Sequence, residues 1–223
     1  MKKKNEQPSV GPKKRVTLAS NVSVEMEERK SLFIGHATPV TSEEEARAFI
    51  DAKKKEYHDA THNVYAYMLA GGAIARYSDD GEPQGTAGAP VLNVIKMCGA
   101  CDLCVVVTRY FGGILLGAGG LVRAYSESAK LAIDAAGFLT YSDYAVFEIV
   151  VSYSDYQKLT VAFGKIGASE DSCEFGENVT VVAAIDNLRA AELSSLVAEI
   201  SYGKGRVSLI RIEERAGMEN SER

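Results

Sequence analysis

Three carboxylates fall within four residues at Asp79, Asp80 and Glu82, set around Gly81. Oxygen ligands so spaced suit a hard cation, and a crowded carboxylate can be raised in pKa to act as a base. The same residues also suit a turn whose side chains cap loop N–H groups. Thirty residues on, Gly112-Gly113 and Gly117-Ala118-Gly119-Gly120 lie between an apolar run and a helical pattern. Backbone N–H groups at such a junction can cradle an anion, or the glycines can serve close packing and positive φ. The pattern is neither the dinucleotide fingerprint nor the P-loop, since no Gly-Lys-Ser/Thr follows. Arg109 and Arg123 bracket the loop. An anion site is expected from Gly112, Gly113, Gly117, Gly119, Gly120, Arg109 and Arg123, with Asp79–Glu82 orienting the guanidiniums through bidentate pairs.

Of the histidines at 36, 58 and 62, His62 opens a tyrosine-rich strand pattern and is the one with a functional reading. No Ser-His-Asp or Cys-His spacing singles out a nucleophile, so no catalytic residue is assigned. Cys98, Cys101 and Cys104 have metal-like spacing, but Cys104 opens the buried-strand run CVVVTRY and no fourth ligand is near. The expectation is free thiols, with no metal and no cofactor. Tyr65, Tyr67 and Tyr110 could stack bases if exposed, although alternating tyrosines fit a strand's core and rim equally.

These residues need elements to hold them. Alternation at Asn21–Arg29 and the run Ser31–Val40 read as a hairpin. Thr41-Ser42 followed by three glutamates starts a helix reaching about Tyr57, whose Lys53-Lys54-Lys55 end reads as a solvated last turn. Strands follow at Thr61–Ala70 and Ala73–Ser78, then a loop over Asp79–Gly85 and a helix over Ala87–Met97. The strand Cys104–Tyr110 has the continuous apolar run of a sheet centre. A helix opening at Gly119 or Gly120 runs to about Ala136, with Gly137 as its stop. Beyond Tyr144 the order becomes a strand (Ala145–Tyr153), a helix (Asp155–Ile166), a hairpin (Ala168–Glu174 with Asn178–Asp186), a helix (Leu188–Ile200) and a strand (Arg206–Glu213). That βαββαβ order is the ferredoxin-like split motif.

The sequence therefore predicts an α+β protein with a disordered basic tail at 1–18, one domain at 19–138, a second at 143–214 and a tail at 215–223. At 223 residues and 46% hydrophobic content, two cores are affordable. Net charge is -5, with residues 1–16 holding six Lys/Arg against one Glu. An acidic body argues against RNA binding by bulk charge and leaves room for a local basic groove. No transmembrane run or signal-peptide core is present in the sequence, which reads as cytoplasmic with no membrane partner.

The motifs SDDGEPQGTAGAP and VVVTRYFGGILLGAGGLVRAY resemble those of the YigZ/IMPACT family, and Ala60-Thr61-His62 before VYAY resembles its THH-x-YAY pattern. The likeness covers about residues 20–136. It implies a two-layer α/β first domain resembling domain IV of elongation factor G and a ferredoxin-like second domain resembling its domain V, the bacterial arrangement. It further implies a translation-associated regulator, without known enzyme activity, that binds RNA or a ribosome-linked protein. The alternatives are an enzyme acting on a phosphorylated small molecule at the acidic and glycine loops, and a regulator that contacts only protein. Leu115 and Ala89 stand where members often carry Lys and Arg, and Asn63 replaces the second His, which removes positive charge beside the loops.

Overall fold

The structure, a computed structural model, describes residues 14–217. Its central strand, β6 (Leu103–Tyr110), is buried at every residue except the last. β3 (Ser31–Pro39) and β4 (His62–Leu69) flank it, both antiparallel. β2 (Val22–Glu28) pairs outside β3, and β5 (Ile74–Ser78) outside β4, giving the order β2-β3-β6-β4-β5. Side chains alternate along β6. Leu103, Val105 and Val107 join one core with α2 (Gly88–Met97) and α3 (Gly117–Ala136). Cys104 and Val106 face the other way, into a smaller core with Ala46 and Ile50 of α1 (Glu43–Glu56). A strand apolar on both faces must be covered on both. α1 therefore adds a partial third layer to the expected two. Burial alone raises the Cys104 thiol pKa.

Local chemistry explains the ends of these elements. Ser42 Oγ accepts the Glu45 N–H at 3.2 Å, and Glu45 Oε2 accepts the Thr41 N–H at 2.6 Å, so both sides of the α1 start are capped. Arg29 and Lys30 take positive φ in the tight turn joining β2 and β3, a backbone whose twist matches the strands. At Gly35 the α3 backbone crosses β3 so closely that a Cβ would lie 2.4 Å from the Ser128 carbonyl oxygen.

Contacts divide the described chain into two compact units, residues 15–140 and 141–217. The boundary falls between residues 140 and 141, inside the expected range Gly137–Asp143, but these residues belong to a strand, β7 (Phe138–Val151), where a linker was expected. The segment Phe138–Tyr144 is rich in aromatic and β-branched residues, so the strand starts seven residues before Ala145. β1 (Arg15–Leu18) pairs with β7, and Ala19 N–H donates to Gly137 O beside that pairing. The sequence placed these four residues in a basic tail. Thr17 and Leu18 are buried, Leu18 to 1% exposure, because the apolar alternation of Val16 and Leu18 outweighs their charged neighbours. Residues 1–13 and 218–223 lie outside the described residues.

In the second unit α4 (Tyr153–Ile166), β8 (Ser169–Phe175), β9 (Val179–Asp186), α5 (Ala190–Ile200) and β10 (Arg206–Gly217) follow β7. Strand order is β10-β7-β9-β8, and the β7/β9 and β9/β8 pairs are antiparallel. β10 extends to Gly217, so residues 215–217 belong to a strand rather than a tail. Ile149, Leu159, Phe163, Val181, Leu193 and Val197 form this unit's own core. Among the described residues no helix is long and apolar enough to cross a membrane.

The crossing at Gly35 gives a direct test. Gly35→Ala should destabilise the protein by about 1–3 kcal/mol, because neither the β3 nor the α3 backbone can yield without losing packing. Chemical denaturation of both proteins measures this, with unchanged stability refuting the close approach.

Candidate functional site

Sheet register brings three side chains into one row. Phe33 of β3 pairs with Arg109 of β6, and Arg109 pairs with His62 of β4, all on the face that α3 covers. The Arg109 guanidinium lies between the Phe33 and Phe111 rings, 5.4 and 5.5 Å from their centroids. It is only 5% exposed. A buried guanidinium requires a counter-charge, and the acidic loop supplies it. Glu82 Oε1 accepts from Arg109 Nη1 at 2.5 Å and from the Tyr125 hydroxyl at 2.8 Å. Burial, then the neighbouring Glu82 charge, raises the Tyr125 pKa and keeps its hydroxyl a donor. His62 Nε2 stands 3.8 Å from the same oxygen.

Each acid of the loop has a separate task. Asp79 accepts the N–H groups of Gly85 at 2.8 Å, Ala87 at 3.2 Å and Gly88 at 2.8 Å, capping α2 where Ala87 has no side chain to do so. Asp80 accepts the Asn63 N–H at 2.7 Å and Lys54 Nζ at 2.6 Å. Its carbonyl accepts from His62 Nδ1 at 2.7 Å, which fixes the ring with Nε2 on the Glu82 side. Asn63 is enclosed as well: Thr108 Oγ1 donates to its Oδ1 at 2.7 Å, and its amide donates to Tyr57 O at 3.1 Å. Among the described residues no group of three or more His, Cys, Asp and Glu could hold a metal ion.

The row ends in a hollow of about 400 Å³. Thr61, His62, Glu82 and Arg109 form its polar end. Phe111, Leu115 and Leu116 form its apolar wall, beside Gly117 and Ala118 in the first turn of α3. Four sequence-predicted residues thus meet: His62, Glu82, Arg109 and Gly117. The others are placed elsewhere. Gly112 packs on the β2–β3 turn, where a Cβ would overlap the Lys30 carbonyl. Gly113 supplies a positive φ, and Gly119 faces open space. Arg123 is exposed and lines another hollow with Gly120, Met26, Glu28 and Lys130. Chain position bracketed the loop between Arg109 of β6 and Arg123 of α3, but the helix turns Arg123 away from Arg109.

Sequence reasoning did not select Phe33, Phe111 or Tyr125. Only register and helix docking bring them to Arg109, although a tyrosine four residues after Leu121 on an apolar helix face was a usable signal. It also passed over a second hollow of about 410 Å³ between α1 and the β4–β5 edge. Arg47, Lys54 and Arg76 line it together with Asp51, Tyr65 and Tyr67, and Lys54 Nζ lies 5.6 Å over the Tyr65 ring. Lys54 had been read as part of a solvated helix end. Its reach to Asp80 and Tyr65 is tertiary, so helix position alone could not reveal it.

Below the acidic loop, His36 is buried against Tyr57, with Nδ1 2.7 Å from Ser23 Oγ and Nε2 3.3 Å from Thr108 Oγ1. Burial first, then the Lys53 charge, lowers its pKa from 6.5 to about 4. The unfolded chain therefore takes up this proton at a higher pH than the native protein does. Stability from this residue is complete above the unfolded pKa of 6.5 and is lost as pH falls towards about 4. The loss should approach about 1.4 kcal/mol per pH unit in that window. Urea melts across it should show the slope in wild type and a flatter one in His36→Gln; equal slopes would remove His36 as the cause.

The model of the family described as "Impact N-terminal domain" matches residues 29–133. IMPACT family member YvyE of Bacillus subtilis (strain 168) is 37% identical over 179 residues, spanning 78% of this chain and 81% of that protein. IMPACT family member YigZ of Escherichia coli (strain K12) is 31% identical over 199 residues, spanning 88% and 97%. A crystal structure of a protein described as hypothetical matches with a TM-score of 0.57 at 29% identity, over 89% of this chain and 98% of that one. With likeness to bacterial members over most of both chains, and the family's N-terminal region containing the whole Glu82–Arg109–Tyr125 corner, this chain belongs to the IMPACT family.

Proposed function

We propose that the protein is a non-enzymatic, translation-associated regulator whose first unit contacts single-stranded RNA. The hollow between α1 and the β4–β5 edge carries this reading, because it combines Arg47, Lys54 and Arg76 with the Tyr65 ring. Single-stranded nucleic acid is held by such a combination: cations follow the phosphates and aromatic faces accept bases. Arg47 is paired with Glu43 at 3.1 Å and Lys54 with Asp80 at 2.6 Å. Partly exposed pairs of this kind contribute at most about 1 kcal/mol, so a phosphate can compete for the cation. The local groove also accommodates the net charge of -5, which excludes binding by bulk attraction alone.

The wider architecture agrees with this reading. We take the second unit, with strand order β10-β7-β9-β8, as a ferredoxin-like module. We take the first as the counterpart of domain IV of elongation factor G, following the motif resemblance. The hollow at His62, Glu82 and Arg109 is a separate feature on the opposite face of the same sheet.

Fluorescence anisotropy with a labelled oligouridine tests the proposal at about 50 and 200 mM salt. Arg76→Ala should weaken binding roughly tenfold, the worth of one charge-assisted bond, and should flatten the salt dependence. Affinity unchanged in Arg76→Ala and in Arg47→Ala would overturn RNA binding at this hollow. Retention of a ribosomal protein in place of RNA would assign the surface to a protein partner.

A further inference from the structure

We propose that the hollow at His62, Glu82 and Arg109 binds a free apolar α-amino acid. This reading is independent of RNA binding, since the two hollows lie on opposite faces of the sheet. Four features of the site favour it.

First, the apolar wall is open. Leu115 is 81% exposed and Phe111 45% exposed, and with Leu116 they border about 400 Å³, room for one aliphatic or aromatic side chain together with its backbone atoms. Second, a negative group is available. Arg109 and Tyr125 both donate to Glu82 Oε1, which leaves Oε2 with no protein donor among the described residues. His62 Nε2 stands 3.8 Å from Oε1 of the same carboxylate. A carboxylate oxygen is an acceptor, and an ammonium group supplies the donors.

Third, a positive end is also present. α3 begins at Gly117 with no side-chain cap at Leu116, so its first N–H groups are open to an anion, and Gly117 and Ala118 line the hollow. The fourth feature is separate from the helix end. Arg109, buried to 5% exposure on the wall of the same hollow, has its Nε enclosed with no acceptor. An under-satisfied buried guanidinium is uncommon in folded proteins and marks a place where an acceptor is missing.

The two charged ends exclude simpler ligands. A carboxylate alone would meet Glu82, and an amine alone would meet Arg109 and the positive end of α3. A zwitterion with an apolar side chain gives each group a partner: ammonium to Glu82, carboxylate to the first turn of α3 and Arg109, side chain to Phe111, Leu115 and Leu116. No covalent step is involved.

Calorimetric titration of the full chain with L-leucine, L-methionine and L-phenylalanine tests this. At least one should bind, while its amide, which lacks the carboxylate, and isocaproate, which lacks the ammonium group, should each bind at least about tenfold more weakly. Glycine, without the side chain, should give no measurable heat. Leu115→Asp alters an exposed side chain and should abolish binding without changing the melting temperature. Glu82→Gln should weaken amino-acid binding more than isocaproate binding. If Glu82→Gln does not fold, Leu115→Asp and the ligand series decide. Absence of binding by all three amino acids, equal binding of isocaproate and leucine, or unchanged affinity in Leu115→Asp would each overturn the proposal.

Discussion

The ion pair between Glu82 and Arg109 is the interaction on which the first unit's architecture turns. Moving either charge out of water alone would cost several kcal/mol, and the pair is tolerable only because other groups share the work. Tyr125 donates a second hydrogen bond to the carboxylate, while Phe33 and Phe111 enclose the guanidinium. These residues come from β3, β6, α3 and two loops. The pair thus ties the acidic loop, the glycine loop and the longest helix to one end of the central strand. Removing either partner leaves a buried charge uncompensated, a loss of about 3–5 kcal/mol. The loop residues around Gly81 are held in place by the same arrangement, with Asp79 spent on α2 and Asp80 on β4.

Two polar systems share Asp80. On one side its carboxylate holds Lys54, which lies over Tyr65 in the basic hollow. On the other its carbonyl fixes the His62 ring beside Glu82. Through Asn63 and Thr108 the contacts continue to His36 below. The THH-like segment therefore does more than supply one histidine. Asn63, an amide in place of the pattern's second His, joins the loop to the sheet without adding a titrating group to a buried position.

Much of the first unit was legible because β6 carries its own signature: Val105, Val106 and Val107 in succession, β-branched and apolar, fit a strand covered on both faces. Capping residues likewise announced α1. Legibility failed where long-range pairing decides. Val16 and Leu18 look like part of a basic tail until β7 is available to pair with β1, and Phe138–Tyr144 looks like a linker because its polar residues interrupt the apolar pattern. For the site, chain position identified His62, Glu82 and Arg109 as residues of interest, and the motif resemblance marked their surroundings. It could not show that Glu82 meets Arg109 while Arg123 points elsewhere, since that depends on strand register and on which face of α3 docks.

Cys104 gives the fold a built-in reporter. Its thiol lies at the middle of the sheet under α1, with burial holding it protonated, whereas Cys98 and Cys101 are only half enclosed. Thiolate is the species that alkylating reagents capture, so Cys104 reacts only when β6 separates from its cover. Its labelling rate under native conditions therefore counts the rare openings of the central strand, while Cys98 and Cys101 record local fluctuations at the end of α2 and the loop before β6, and Cys173 reports on β8 of the second unit. One set of native cysteines can in this way distinguish loosening of the periphery from loss of the core, with no probe added to the chain.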